Sequence, residues 1–295
     1  MSAAAPEGAR AGAGERAHDH EPVAVWQRED TVAGFAERRR ILIPLLDLQE
    51  DVLAKLLTRG ERRVRRFLDL GFGAGAVSEL VLRATAASSA ASSAQREREH
   101  GVESHGVLVD FSEPMLARAR AKLLASGAGG DGDARVQLVR GDLSSPAWRE
   151  TLPEERYDAI VSGFAIHHLP SERKRALFAE ALELLEPGGI FVNMDYVQVD
   201  GPLKGLFDEQ MLANAVAHAA QGEGEHARQH EAPADDDHRV AQRDPVGFDD
   251  EDEDRPDTLE DQLRWLRDAG FERVEAHFKW AEAAIYGGEK ASGAR

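Results

Sequence analysis

Apolar strand-like runs alternate along this chain with helix-patterned segments, and that alternation restricts its fold more than any other feature. The runs are RVRRFLDL (63–70), HGVLVD (105–110), RVQLVR (135–140), YDAIVSGF (157–164) and GIFVNMDYV (189–197). One helical pattern opens at Ser112 with Pro114 near its first turn; another starts near Ser171 and stops at Pro187-Gly188-Gly189. In the latter, Ala176, Leu177, Ala181, Leu184 and Leu185 recur at helical spacing and are expected to face a sheet. Apolar strands alternating with helices build a parallel sheet covered on both faces. Further on, TLEDQLRWLRDAG reads as a helix stopped by Gly270, followed by FERVEAHFKW and AEAAIYGG, two strands joined by a short turn. Ahead of the first strand, VAVWQREDTVAGFAERRRILIP and LLDLQEDVLAKLLTRG, separated by Pro44, are amphipathic and predict a helical cap over one end of the sheet.

Three segments carry too few apolar groups to offset the entropy of ordering them, about 1–2 kcal/mol per residue for backbone alone. They are residues 1–22, the small-residue and charged stretch 83–105, and 217–257 with its acid run DDEDED. The expected organisation is a disordered tail at 1–22, a helical cap at 23–60, one domain at 61–288 with disordered inserts near 83–105 and 217–257, and a short tail at 289–295. The 295 residues include 54 acidic and 36 basic ones, a formal net charge of -18. That balance repels phosphate backbones and anionic membranes, so neither nucleic acid nor a membrane is an expected partner. There are no cysteines, which excludes disulfides, thiolate metal sites and a cysteine nucleophile. The N-terminus lacks the pattern of a secretory signal and no apolar run approaches the roughly 18–20 residues that span a bilayer, so the expected location is cytoplasmic.

The chemistry is concentrated at strand ends. FLDLGFGAGAVSE (67–79) runs from a strand through Gly71, Gly73 and Gly75 into a helix, an arrangement that aims backbone N–H groups and a helix N-terminus at a ligand. Taken alone, those glycines also fit a structural turn or, with Ala76, a loose dinucleotide pattern. The neighbours narrow the choice. Strand one ends at Asp69, strand two at Asp110, and strand three is followed at once by Gly141-Asp142-Leu143, so three strands bring a carboxylate to one rim. A carboxylate after strand two is placed to accept from both hydroxyls of a ribose.

The sequence resembles the class I S-adenosylmethionine-dependent methyltransferases. LDLGFGAG (68–75), VLVDFSEPML (107–116), GDL (141–143), YDAIVSGFAIHHL (157–169) and LLEPGGIFVNMD (184–195) carry the resemblance in the family's order, and LRDAGFERVEAHFKW looks like its closing hairpin. The resemblance implies an α/β fold: a doubly wound, Rossmann-like, seven-stranded and mostly parallel sheet with a late antiparallel strand hairpin. It implies S-adenosyl-L-methionine as cofactor, with Gly71, Gly73, Gly75 and Asp69 at its methionine end. Asp110 would take the ribose, Phe111 and Leu143 would flank the adenine, and Asp142 would accept from its amino group. Gly163 and Phe164, with Ser162, would border the sulfonium and the acceptor. Ala74 departs from the threonine common in relatives, and the 83–105 stretch is unusually long. A nicotinamide dehydrogenase is the rival for such a cradle, but HHL after strand four and E-P-G-G before strand five match the methyltransferase pattern.

What accepts the methyl group is less marked. Nucleic-acid amino-group methylases of this fold carry an Asn/Asp-Pro-Pro-aromatic motif where this chain has SGFAIHHL, so the expected acceptor is a small molecule reached by in-line displacement. His167 and His168 are the proton-transfer candidates on the active rim. Arg39 and Arg40, in the basic run Arg38–Arg40, are candidates for an acidic substrate or the cofactor carboxylate. Alternatives are a tRNA wobble-uridine carboxymethyl-transfer type of enzyme, or an interaction protein that binds the cofactor without catalysis. No metal site is assigned; His218, His226, His230 and His238 read as part of a solvated, charge-rich linker. Trp26, Phe35 and Trp265 read as core or cap aromatics.

Overall fold

A computed structural model describes residues 24–29, 32, 39, 41, 43–59, 63–91, 104–125, 135–153, 155–227 and 254–293. Among them, six α-helices and seven strands follow in the order α1 (Leu46–Thr58), β1 (Arg66–Leu70), α2 (Ala76–Ala91), β2 (His105–Asp110), α3 (Glu113–Ala125), β3 (Val136–Arg140), β4 (Tyr157–Gly163), α4 (Ser171–Leu184), β5 (Leu185–Tyr196), α5 (Leu206–Ala227), α6 (Leu259–Ala269), β6 (Glu272–Trp280) and β7 (Ala283–Glu289). The strands form one sheet in the order β3-β2-β1-β4-β5-β7-β6. β1 to β5 are parallel, and β7 pairs antiparallel with both β5 and β6. This is the expected mostly parallel, seven-stranded sheet with a late hairpin.

The period-two alternation of each strand explains the two layers. Leu68, Leu70, Val107, Val109 and Ile160 pack on one face with Leu177 and Phe178 of α4 and Trp265 and Leu266 of α6. Phe67, Leu108, Val161 and Val192 point to the other, against Leu53 and Leu57 of α1, Val77 and Leu80 of α2, and Leu123 of α3. Helices therefore cover both faces, and the parallel core strands can be apolar throughout.

Several local expectations are corrected. The face α4 buries is Lys174, Leu177, Phe178 and Ala181, whereas Ala176 is exposed. β5 starts at Leu185 rather than 189, with a register break where Tyr157 pairs Leu185 and Ala159 pairs Ile190; Pro187-Gly188-Gly189 are absorbed in that irregularity. α2 continues to Ala91 and α5 to Ala227, into stretches read from composition as unable to pack. RATAASSAA and ANAVAHAA are rich in alanine, the best helix former, and low hydrophobicity does not prevent such segments from extending an existing helix. Of the two cap stretches, α1 is described, whereas most of the first, Arg40 and Phe35 included, lies outside the described residues. No helix among the described residues is long and apolar enough to cross a membrane.

The chain leaves the sheet after β5 and returns at α6, and a buried cation fastens its return. The Lys174 side chain is fully buried, with Nζ 2.7 Å from Asp257 and donating also to the Arg255 carbonyl. Asp257 accepts from Ser171 Oγ at 2.7 Å as well. Lys174→Met strands a mostly buried carboxylate and is expected to cost about 3 kcal/mol, the lower end of the range for breaking a buried pair, because Asp257 keeps some solvent contact. Equilibrium unfolding in urea checks it; a loss under about 0.5 kcal/mol, the scale of an ordinary surface change, would show that the pair does not fasten the segment.

Candidate active site

Parallel register sets the strand ends level. Leu70 pairs Val109 on one side and Ser162 on the other, Asp110 pairs Arg140, and Gly163 pairs Met194. The C-terminal ends of five strands thus open on one rim, where an open α/β sheet holds its ligands. Asp69, Asp110, Asp142, Gly163, Phe164, His167 and His168 all reach that rim or the turns leaving it.

The glycine turn differs from expectation in one respect. Gly71 and Phe72 donate their N–H groups to the Val109 carbonyl at 2.8 and 3.3 Å, Gly75 donates to Phe72 at 2.9 Å, and Gly73 donates to Asp110 Oδ2 at 2.9 Å. Those donors hold the turn together and are not free for a ligand. Gly71 is required twice: its φ is +66°, and a Cβ there would collide with that of Ala165. The cradle therefore offers close backbone approach and not a nest of N–H groups.

Buried acids supply the site's charge. Asp69 is fully buried; its Oδ2 accepts from Ser78 Oγ at 2.5 Å, while Oδ1 has no hydrogen-bond partner among the described residues. Burial pushes its carboxyl up to about 7, and the Ser78 hydroxyl offsets only part of that. Arg39 is close enough to act in the opposite direction to burial on Asp69, and its Nη1 pairs with Glu50 at 3.1 Å. Asp110 accepts from Ser112 N at 2.9 Å and from Gly73 N, yet burial still raises its carboxyl to about 6. Each of its oxygens keeps acceptor capacity, since a carboxylate has about four lone-pair sites. Asp142 Oδ1 accepts from Ser144 N at 2.9 Å. Leu143 is buried beside it, with its carbonyl fixed by Arg173 Nε at 2.6 Å, and Phe111 is half-buried.

Opposite these acids lies a second cluster that the sequence only half disclosed. A short 3-10 turn, Ile166–His168, follows β4. Asp195, near the end of β5, accepts from His167 N at 3.0 Å, and its other oxygen stands 2.6 Å from His167 Nδ1. Asn193 Nδ2 braces Asp195 at 3.1 Å and donates to Tyr286 Oη at 2.7 Å. Asp254 lies 3.4 Å from His167 Nε2 and 3.1 Å from His168 Nδ1. Burial alone would lower His167, but the carboxylates of Asp195 and Asp254 outweigh it and raise the imidazole to about 9. His168 shifts the other way, lowered by burial and by the neighbouring His167 charge. Phe164, at φ +55°, stacks edge-on to Tyr196 at 6.2 Å, and Tyr196 lies 5.6 Å from His167. Trp26 lies 6.0 Å from His168, and its carbonyl accepts from Ser112 Oγ at 2.5 Å, so this cap aromatic reaches the rim.

Residues 67–189 match the family model of a methyltransferase domain. The match covers less than half of the chain and agrees with its resemblance to the class I S-adenosylmethionine-dependent methyltransferases. It is 26% identical over 198 residues to a carboxy-S-adenosyl-L-methionine synthase of Shewanella putrefaciens, covering 66% of this chain and 72% of that one. A ubiquinone/menaquinone biosynthesis C-methyltransferase of Methylobacterium nodulans is 29% identical over 160 residues, 54% of this chain and 53% of its own length. Among solved structures, an O-methyltransferase family protein from Burkholderia thailandensis superposes with a TM-score of 0.57 at 17% identity, over 92% of this chain and 64% of that one. The chain thus spans only about half of one curated relative and under two thirds of that structure. Human N-acetylserotonin methyltransferase, solved with S-adenosylmethionine, shares the fold at a TM-score of 0.53 and 14% identity, over 91% of this chain and 58% of that one. The residues present fit the family's cofactor, a cation with a ribose: a buried acceptor stands unpartnered on Asp69, and Asp110 has oxygens to spare.

The raised Asp69 fixes a pH dependence. In the folded state its proton stays on to about 7, against 3.8 ordinarily, so this group's contribution is fully present below about pH 4 and lost as pH rises through 7. Asp69→Asn has no such slope. Its stability relative to the parent is expected to improve by roughly 2–3 kcal/mol between pH 5 and pH 7.5, at about 1.4 kcal/mol per pH unit. Urea unfolding at the two pH values measures it; an unchanged difference would mean that Asp69 titrates as an ordinary surface acid.

Proposed function

We propose that this chain methylates a small-molecule acceptor, with the cofactor lying along the acid rim and the acceptor entering beside the His167–Asp195 pair. The observation that carries this reading is the arrival of Asp69, Asp110 and Asp142 at the C-terminal rim of three adjacent strands, with a braced histidine cluster at the ends of β4 and β5. When bound, S-adenosylmethionine supplies an electrophilic methyl on a sulfonium. Asp110 would accept from the ribose hydroxyls with the oxygen capacity that Gly73 and Ser112 leave. Asp142 would accept from the adenine amino group, with Phe111 and Leu143 flanking the base. At the methionine end, Gly71, Gly73 and Gly75 let the backbone come close, Asp69 offers its unpartnered oxygen to the ammonium, and Arg39 is the described cation suited to the carboxylate. Arg40 remains in the reading as a second cation from the same run.

Gly163 and Phe164 would line the acceptor's approach, and the Phe164–Tyr196 contact would keep water from it. His167 and His168 are the proposed proton-handling groups, in different roles. His167, bonded through Nδ1 to Asp195, holds a proton and serves as a fixed positive group. His168, whose buried Nδ1 stands 3.1 Å from Asp254, is the imidazole able to take a proton from an acceptor. The net charge of -18 supports a small molecule over a nucleic acid.

The likeness to carboxy-S-adenosyl-L-methionine synthases supports a second reading, in which the cofactor itself is the molecule modified. Mass analysis of the cofactor pool after incubation with carboxylate-bearing co-substrates separates the two: a heavier, carboxylated cofactor belongs to the second reading, and a methylated acceptor to the first.

S-adenosylhomocysteine at a hundredfold excess over its dissociation constant is expected to stabilise the fold by about 2.7 kcal/mol. That corresponds to a melting shift of roughly 5–10 °C for a domain of this size. Asp110→Asn, which keeps the side chain's shape but loses its charge, should remove most of the shift. No shift in the parent protein would overturn the proposed site.

A further inference from the structure

We propose that His167 Nε2, His168 Nδ1 and the Asp254 carboxylate bind one divalent first-row transition-metal ion, with Asp195 positioning His167 from behind. The three donor atoms lie within 4.8 Å of one another. Asp254 is 3.4 Å from one imidazole nitrogen and 3.1 Å from the other. Ligands at about 2.0–2.2 Å from a tetrahedral or octahedral ion stand roughly 3.0–3.5 Å apart, so these spacings need little adjustment to close around one.

Three further observations point to a built site. His168 Nδ1 is buried, and its 3.1 Å contact is with the same Asp254 oxygen that His167 Nε2 faces. His167 bonds Asp195 through Nδ1, which leaves Nε2 as the nitrogen facing Asp254; a carboxylate behind a ligating imidazole fixes its ring and tautomer. The support extends further back, since Asn193 holds Asp195, Tyr286 Oη accepts from Asn193, and Tyr286 donates to Gln262 Oε1. Four buried polar groups thus orient a single ring.

Two imidazoles and one carboxylate select a borderline ion such as zinc, cobalt, iron or manganese over magnesium or calcium, which prefer all-oxygen shells. Three protein ligands leave at least one open position, as at catalytic centres. Asp254 has 53% of its side chain exposed, so the cluster opens to solvent on that side. An acceptor hydroxyl or enol oxygen fits that position: coordination would lower its pKa and so remove the need for a protein base. With a metal bound, His167 Nε2 and His168 Nδ1 are ligands, and neither keeps the proton-handling role it has in the metal-free reading. Metal binding itself does not depend on the methyl-transfer reading. Cofactor binding by a chain that takes up no metal would refute this proposal alone, and metal binding without cofactor binding would refute only that reading.

The test uses the full chain, stripped with a chelator and titrated with zinc by calorimetry and with cobalt by visible absorption. One equivalent should bind, with cobalt bands characteristic of nitrogen and oxygen ligands, and excess magnesium should not displace it. His168→Ala and Asp254→Asn should each weaken zinc binding at least about tenfold; Asp254 is exposed enough that its variant should keep the parental circular dichroism. Asp195→Asn should weaken it by roughly 10–100-fold while leaving the stoichiometry at one, as expected of a residue acting through a ligand. A His226→Ala/His230→Ala double variant should bind as the parent does. No binding by the parent, or binding lost in that double variant but kept in Asp254→Asn, overturns the proposal.

Discussion

Everything at the rim depends on parallel register. Because Leu70 sits level with Val109 and Ser162, and Gly163 with Met194, the residues just beyond each strand arrive at one height with no help from loops. A slip of two residues in either neighbour of β1 would keep every apolar side chain on its proper face, yet carry Asp110 or the turn of His167 about 6–7 Å out of reach. What prevents it is local to the rim. Asp110 accepts from Gly73 across the sheet, His167 bonds Asp195 through both its backbone and its ring, and Ser162 Oγ donates to Leu70. The polar contacts that form the site are also the ones that lock its alignment.

Those contacts leave an electrostatic imbalance. Burial holds Asp69 and Asp110 toward their neutral forms, while His167, between two carboxylates, is held toward its charged one. The causes differ: burial raises the two acids, whereas the carboxylates of Asp195 and Asp254 raise the histidine. A ligand with positive charge at one end, or a metal at the other, relieves burial costs that the protein alone meets with protons.

Much of this was legible in the sequence. Strand ends at Asp69 and Asp110, the helix opening at Ser112, the stop at Gly270 and the final hairpin follow from short-range rules of period, capping and turn chemistry. The glycine turn was recognisable too, but its donors are spent internally, which depends on where Val109 and Asp110 fall in three dimensions. Asp195 was missed although it bore the same mark as the others, an acid at a strand's end: the stretch was read as an apolar strand and a family match, with no role for its acid. Asp254 could not be found that way. It is 86 residues from His168, inside a run of acids that composition alone assigns to solvent. Lys174 was passed over because a lysine in a helical pattern is normally taken for the wet face, and only the folded chain shows Asp257 waiting for it.

One feature at the edge of the sheet bears on how such a protein can change. Gln198 bridges Thr258, Gln198 N donates to Asp257, and Val197 N donates to Glu282. The sheet therefore meets both ends of the intervening excursion at a fixed gate. Closing a longer loop through such a gate is cheap, about 0.6 kcal/mol for each doubling of its length. The length between Ala227 and Asp254 can therefore change at little cost while the gate stays shut, and Gly205 and Phe207, which donate to Glu282, keep the start of α5 in place. Asp254, only four residues inside the return, would stay in place through such changes, and the stretch before it could diversify toward different acceptors without retuning the rim.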